Sequence, residues 1–434
     1  MSLHKKILLG LLFGIAGGLV ANMLFAGAPW LDGLIRYVLS PIGQIFLRLI
    51  FMTVIPLIFC ALALGVAELG DAKALGRIGL RTFAFTVVAT SISVLIGITA
   101  ANWVKPGAGL DPTARESLMQ AMTGKTVSSA VENAGKTKDW VQTILDIIPR
   151  NPFADAALAF EDGYRGGGIL ALMFFALFVG VALALVRSER TRVFEEWLSG
   201  FYEVVMKMIS IAMKLAPYGV AALVFSVVAK LGVDVVFILG KFVLVVLSVL
   251  AIQFFGVYGL VLRLFVKVNP WKFFHKMRVV ILTAFSTSSS NVTLPTALRV
   301  AEEDLKMPPK ISRFVLTLGA TANQNGTALY EGIVVLFLAQ FFGIELSIGQ
   351  QATVVFAAVV AGIGTAGVPG GSLPVIVLIL QSVGVPGEGI GIILGVDRIL
   401  DMSRTVINVT GDMTCAAYVA SAEGHKIELE SGTD

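Results

Sequence analysis

The sequence predicts an all-α polytopic membrane protein, and three observations carry that expectation. Hydrophobic residues make up 56% of the 434 and charged residues only 14%, where a soluble domain carries about a quarter charged. Mean hydropathy is +0.86. Uncharged stretches such as Ile7 to Ala26, Thr82 to Val104 and Ile169 to Val186 match the roughly 20 apolar residues a helix needs to cross hydrocarbon. Backbone groups in lipid must find partners inside their own segment, so the spans are read as helices.

Lys5 and Lys6 ahead of an apolar run look at first like a secretory leader. No small-residue cleavage site follows and many more spans do, so the segment near 6–26 is read as a retained first helix. Further spans are expected near 41–68, 78–104, 169–187, 196–228 and 231–264. Residues 106–165 are richer in polar residues and glycine, which suits an outside loop with short helical pieces. His4, Lys5 and Lys6 precede the first span, and Lys73, Arg77 and Arg81 lie between the second and third. Arg187, Arg190 and Arg192 follow the fourth; Arg263, Lys267, Lys272, Lys276 and Arg278 follow the sixth. The alternate loop Gly27 to Gly33 has no Lys or Arg. The positive-inside rule then puts the N-terminus in the cytoplasm, and a multi-pass protein of the cell (inner or plasma) membrane with both termini cytoplasmic is expected. The net charge of +4 sits in these short loops, which is no nucleic-acid signal. Cys60 and Cys415 read as free buried thiols, and three histidines without CxxC or HExxH spacing argue against a zinc site.

After residue 270 the pattern changes. No charge occurs between Glu345 and Glu388, a run that as one helix would be about 60 Å long, twice the hydrocarbon thickness. Its middle, Gly362 to Ser372, is a cluster of helix breakers. A helical hairpin that enters and leaves on one side fits this run. Segment 270–306 has the same form around Ser286-Thr287-Ser288-Ser289-Ser290-Asn291, with Pro295 just after. Each hairpin is followed by a helix with polar residues at its middle. Broken elements at corresponding points of two halves mark the binding site of a repeat-built transporter. Four ordinary spans with glycine packing sites are the alternative.

Asp397, Asp401, Arg404, Asn408 and Asp412 recur at spacings of four, three, four and four, which puts them within a stripe of roughly 80° on one helix. Thr405 borders the stripe and Arg398 points a quarter-turn away. A charge at membrane depth costs at least ~2.5–3.5 kcal/mol on insertion scales. The stripe therefore lines a polar cavity or pairs internally as a structural ion network. Its carboxylates outnumber its arginines, an environment for a cation and a zwitterion together. In the preceding helix Asn323, Asn325 and Gly326 interrupt an apolar run and free backbone carbonyls. Carbonyl, amide and carboxylate oxygens are the ligands hard cations prefer; a plain kink is the alternative. Glu331, two turns further on, suits a proton carrier. The serine tip offers hydroxyls and N–H groups to a carboxylate at the positive end of a half-helix. Arg404 is a bidentate partner for a second carboxylate, and Asp401 suits an ammonium. Together they describe an acidic amino acid.

The serine tip, Asn323-Gln324-Asn325-Gly326-Thr327, Gly364-Thr365-Ala366-Gly367-Val368-Pro369-Gly370 and Asp401-Met402-Ser403-Arg404-Thr405-Val406-Ile407-Asn408-Val409-Thr410-Gly411-Asp412 come in this order. The set resembles the glutamate transporter family of dicarboxylate/amino acid:cation symporters. That resemblance spans nearly the whole chain and implies eight spans, two re-entrant hairpins in inverted repeats, and a homotrimer in the bilayer. It also implies elevator motion of a transport domain (78–108 and 229–424) against a scaffold (1–77 and 109–228), with 425–434 as a cytoplasmic tail. Carried over, Ser290 with neighbouring Ser289, and Thr365, Ala366, Gly367 and Val368, hold the main-chain carboxylate of the solute. Asp401 takes its amino group with Thr405 and Asn408 nearby, and Arg404 and Thr327 take its side-chain carboxylate. One sodium site uses Gly319, Asn323, Asn408 and Asp412; a second uses carbonyls of Thr321 and of the second hairpin at Gly362, Ile363 and Thr365. Sodium, protons or both are the coupling ions, with no organic cofactor.

Three departures accompany the resemblance. Asn325 stands where the family pattern has an Asp that binds a further sodium, and Ala89-Thr90 stands where a Thr-Ser pair is typical. Glu331 resembles the proton-carrying glutamate of proton-coupled members. A compensating arginine is present as Arg398, with Ser288 at its usual hairpin position. The runner-up is a C4-dicarboxylate carrier, which shares Asp397-Arg398 but needs no ammonium partner such as Asp401. An ion channel would favour rings of charge on a symmetry axis, and an intramembrane hydrolase would need a nucleophile–base pair that the sequence does not offer. The chain is not read as an enzyme.

Overall fold

The computed structural model describes residues 3–111, 116, 145, 148–158, 168–186, 188–364 and 371–427. Among them every regular element is helical. The expected outer loop lies mostly outside the described residues, apart from a short helix at Pro152–Ala157 capped by the Asn151 side chain.

The first long helices are α1 (Leu3–Phe25), α2 (Ser40–Leu75) and α3 (Arg77–Val104). After the outer loop come α4 (Gly168–Val186), α5 (Glu189–Met213) and α6 (Ala216–Leu231). The single span expected near 196–228 is instead the pair α5 and α6, bent by 53°. Pro217 is the cause: it sits in the first turn of α6, where its ring and missing N–H cannot continue the preceding helix. Next, α7 (Val233–Ala251) runs on through wide π turns at Ile252–Tyr258 and Leu262–Val266. Outward-facing side chains such as Phe13, Met23, Leu80, Phe237 and Leu244 are large, apolar and exposed. Such a surface is at home in lipid.

The second half takes the hairpin form the sequence predicts. Helices α8 (Arg278–Thr287) and α9 (Ser290–Arg299) fold back on each other through Ser288 and Ser289. Ser288 turns the corner at φ +52°, the left-handed region a non-glycine residue seldom adopts. Beyond α9, Glu302 accepts both guanidinium hydrogen bonds of Arg313, at 2.9 and 3.1 Å. Those bonds hold its carboxyl below the usual carboxylate range. Helices α10 (Pro309–Ala322) and α11 (Asn325–Phe342) form one pass broken at Asn323 and Gln324. Helices α12 (Ile348–Gly364) and α13 (Leu373–Ser382) are the arms of the second hairpin. Its expected tip residues Thr365, Ala366, Gly367 and Val368 lie outside the described residues. The last helix, α14 (Ile390–Ala422), packs against α8, α10 and α11 and is buried over most of its length. Its C-terminal end is tied to α3 by Arg77 and Arg81, which both bond Glu423.

Candidate solute and cation site

The charged stripe of α14 closes on itself. Arg404 donates to Asp397 at 3.1 Å and to Asp401 at 2.7 Å. Arg398, a quarter-turn off the stripe, reaches the other oxygen of Asp401 at 3.2 Å. Tyr330 on α11 donates its hydroxyl to Asp397 at 2.9 Å, and its ring lies 3.9 Å from the Arg404 guanidinium carbon. Arg404 is 1% exposed, so its charge is held by carboxylates and a π face instead of water. Both residues expected to receive the solute, Asp401 and Arg404, are thus engaged with each other. Thr405 turns back to the Asp401 carbonyl at 2.8 Å.

One turn on, Asn408 knits α14 to the break in the neighbouring pass. Its Oδ1 accepts the Gly326 N–H at 2.7 Å and the Thr327 N–H at 3.3 Å. Its Nδ2 donates to Gln324 Oε1 at 2.6 Å and to the Thr327 hydroxyl at 3.0 Å. The chain between α10 and α11 can therefore stay unwound at depth, because α14 satisfies the amides that the break exposes.

A third cluster gathers the first expected sodium set. Asn323 donates to Asp412 Oδ1 at 2.8 Å, and a Cβ at Gly319 would collide with that same oxygen. Asn323 Oδ1 is buried without a hydrogen-bond partner. An acidic oxygen against a bare glycine, beside an unpartnered amide oxygen, is a donor set for a hard monovalent cation. Asn408 is spent on the helix break in this arrangement. Of the second set, Thr321 ends the last turn of α10, and the Gly362 carbonyl accepts the Gln324 N–H at 3.2 Å. Ile363 lies in the last turn of α12; Thr365 is outside the described residues.

The serine tip is ordered by its own threonines. Thr293 donates to the Ser289 carbonyl at 2.8 Å, and Ser289 caps α9 by accepting from Val292 N–H at 3.3 Å. The Ser290 hydroxyl is buried without a partner, aligned with the N-terminus of α9. Glu331 is 0% exposed, and neither carboxyl oxygen has a hydrogen-bond partner. Asn325 accepts from the Thr90 hydroxyl at 2.6 Å and donates to the Tyr258 hydroxyl at 3.0 Å.

Broken helix, paired hairpins and a charged last helix around one buried cluster describe a known transporter plan, and the sequence comparison decides which. A profile of the sodium:dicarboxylate symporter family matches residues 3–422. The chain belongs to that family. This symporter is 34% identical over 426 residues to the proton/sodium-glutamate symport protein of Bacillus caldotenax, covering 98% of this chain and 95% of the relative. It is 36% identical over 433 residues to the proton/glutamate-aspartate symporter of Escherichia coli K12, covering 98% and 94%. Excitatory amino acid transporter 3 of Mus musculus is 32% identical over 456 residues, covering 97% and 86%. The chain is a transporter and not an enzyme, as the sequence predicts.

Sequence reasoning missed three hydrogen-bonding partners in this cluster. Tyr330 holds Asp397 and Arg404, Gln324 takes the Asn408 amide, and Tyr258 takes the Asn325 amide. Tyr330 had a signal, since it lies three residues after Thr327 on one helix face. Tyr258 had none: one tyrosine in an apolar span reads as packing.

Proposed function

We propose that this protein is a secondary active symporter that imports an acidic amino acid, aspartate or glutamate, coupled to sodium, protons or both. The single observation behind this reading is the buried pair Arg404–Asp401. A guanidinium and a carboxylate that neutralise each other can be exchanged, two for two, for a solute carrying its own carboxylate and ammonium. Arg404 and Thr327 take the side-chain carboxylate; Asp401 takes the ammonium, with Thr405 and Asn408 beside it. The main-chain carboxylate goes to Ser290, at a tip whose buried hydroxyl has no partner, with Ser289 and the loop Thr365–Val368 completing the site.

Sodium enters as cargo at Gly319, Asn323, Asn408 and Asp412, and a second ion at Thr321, Gly362, Ile363 and Thr365. The unpartnered Asn323 oxygen supports the first of these. Glu331 carries a proton: a charged carboxylate with no donor around it costs several kcal/mol in the bilayer, and a proton removes that cost. Asn325, already bonded to Tyr258 and Thr90, supports the absence of a third sodium site. Residues 78–108 and 229–424 form the moving domain, 1–77 and 109–228 the scaffold, and the assembly is a homotrimer in the cell membrane with cytoplasmic termini.

The names of the glutamate and aspartate symporters among the relatives support the solute class. The Arg398–Asp401 pair favours one second reading, a C4-dicarboxylate, because it leaves Asp401 content without an ammonium. Uptake of labelled aspartate into proteoliposomes, with sodium and proton gradients imposed separately, tests the proposal. Uptake driven by either gradient and competed by glutamate is expected. Failure under both gradients, or competition by succinate alone, overturns it.

A further inference from the structure

Beyond α7 the chain carries positive charge that the solute site does not use. No Asp or Glu occurs between Asp234 and Glu302, and within that run Arg263, Lys267, Lys272, Lys276 and Arg278 crowd together. The basic residues that follow are served differently. Arg313 is held by Glu302 at 2.9 and 3.1 Å, and Arg299 lies 3.9 Å from Glu303. Lys276 donates to the Asp304 carbonyl at 3.0 Å. Arg263, Lys267, Lys272 and Arg278 are exposed.

The backbone presents these cations beside an apolar surface. The last turn of α7 ends at Lys267, which takes φ +60°. Asn269 then accepts the N–H groups of Trp271 and Lys272, at 2.9 and 3.4 Å, and Pro270 opens a short helix, Pro270–Lys276. That helix lies back on α7. Phe274 meets Phe254 with ring centres 4.4 Å apart, and Trp271 meets Phe255 at 5.4 Å. Phe273 and Phe274 are buried by the contact, whereas Trp271 and Phe255 stay 69% and 52% exposed, as do Leu264 and Phe265 at 56% and 59%. On the polar side Lys272 and Lys276 stand one turn apart, and the Arg278 guanidinium is 3.0 Å from the His275 ring.

A tryptophan between apolar rings and cations suits the level of lipid headgroups. Long basic side chains rest their stems on apolar surface and hold their charge in the polar layer. A soluble anion would satisfy the cations and leave the rings in water; a lipid satisfies both. We propose that residues 263–278 form a docking surface for anionic phospholipid. Lys267, Lys272 and Arg278 take the phosphate headgroup, Trp271 marks the boundary, and Phe255, Leu264 and Phe265 meet the acyl chains. The surface belongs to the part proposed above to move, so bound lipid ties that part to one leaflet. The inference stands whichever solute is carried.

Native mass spectrometry of the detergent-released full chain, titrated with phosphatidylglycerol or with phosphatidylcholine of the same acyl chains, counts bound lipid directly. The parent should prefer phosphatidylglycerol. Combining Lys267→Gln, Lys272→Gln and Arg278→Gln should weaken phosphatidylglycerol binding ~100-fold, about fivefold per charge removed, and leave phosphatidylcholine binding unchanged. Lys272→Gln alone, with an expected loss of about fivefold, carries the test if the triple variant does not fold. Arg190→Gln with Arg192→Gln removes charge from a different loop and should leave phosphatidylglycerol binding as in the parent. Equal binding of both lipids by the parent, undiminished phosphatidylglycerol binding in the variants, or a loss as large in the Arg190 and Arg192 control overturns the proposal. So does inorganic phosphate that binds as tightly as the lipid, which would mark a free-anion site.

Discussion

Two seams in this molecule use the same device for opposite purposes. Where α1 meets α6, a Cβ at Gly14 would lie 2.9 Å from the Ala221 carbonyl oxygen, and one at Gly18 would lie 2.8 Å from the Val228 Cβ. Bare backbone there lets two apolar helices touch. Where α10 and α11 meet α14, the same bareness receives polar atoms: Asp412 lies against Gly319, and the Asn325 side-chain nitrogen would lie 2.9 Å from a Cβ at Gly411. The first seam is a bearing surface made rigid by van der Waals contact, as helix pairs in lipid commonly are. The second is a set of cradles that hold polar side chains. Glycine by itself does not separate the two; the residue opposite does.

Substitutions can break that contrast or sharpen it. The largest effect belongs to the charged pair. Arg404→Ala should cut aspartate uptake at least ~30-fold, since truncating one member of a buried charge pair costs about 2–5 kcal/mol, and it should admit neutral amino acids. Aspartate affinity that stayed unchanged would remove Arg404 from the solute site. Next comes Gly319→Ala, which drives a methyl group into the Asp412 carboxylate. The sodium concentration for half-maximal uptake should rise roughly ten- to a hundredfold, the range for disturbing a metal ligand's support, with the melting temperature little changed. Gly14→Ala is the mirror experiment. Overpacking there should cost ~1–3 kcal/mol of stability, read as a lower melting temperature, while the sodium dependence stays as it was. If both variants moved both readouts alike, the distinction between bearing surface and cradle would be lost. Glu331→Gln should have the mildest effect on maximal rate. Uptake by the parent should rise as external pH falls, because loading requires a protonated carboxyl, and the amide variant should give a flat profile. A slope preserved in the variant would make Glu331 structural.

The legible parts of this fold were those where chemistry contradicts the lipid. Charges at Asp397, Asp401, Arg404 and Asp412 stand out because hydrocarbon penalises them, and a charge-free run too long for one helix announces its own hairpin. The break at Asn323 and Gln324 was readable for the same reason. What stayed hidden was apolar or ambiguous. The 53° bend between α5 and α6 leaves no trace in hydropathy, and Pro217 alone did not reveal it in a stretch expected to be one span. Tyr330 and Tyr258 went unseen because a tyrosine is mostly ring, and its hydroxyl matters only once a partner is in place. The engagement of Asp401 by two arginines was out of reach as well. Spacing put Asp401 and Arg404 on one stripe, but only the folded arrangement pairs them and brings Arg398 round to join.

Helix α11 bears on how such a protein is made. Seventeen of its eighteen residues are buried, Gln340 being the exception, and Gln340 itself donates to the Ala101 carbonyl at 2.9 Å. A segment that shows almost no surface to lipid, and carries Asn325 and Glu331, has little reason to remain in a bilayer alone. It is held by companions. Part of its enclosure, α3 and α7, leaves the ribosome before it, while α12 and α14 follow. Biosynthesis therefore has to keep α11 within reach of partially assembled neighbours until α14 arrives to take up the amides at the helix break. The last helix out is also the one that seals the centre.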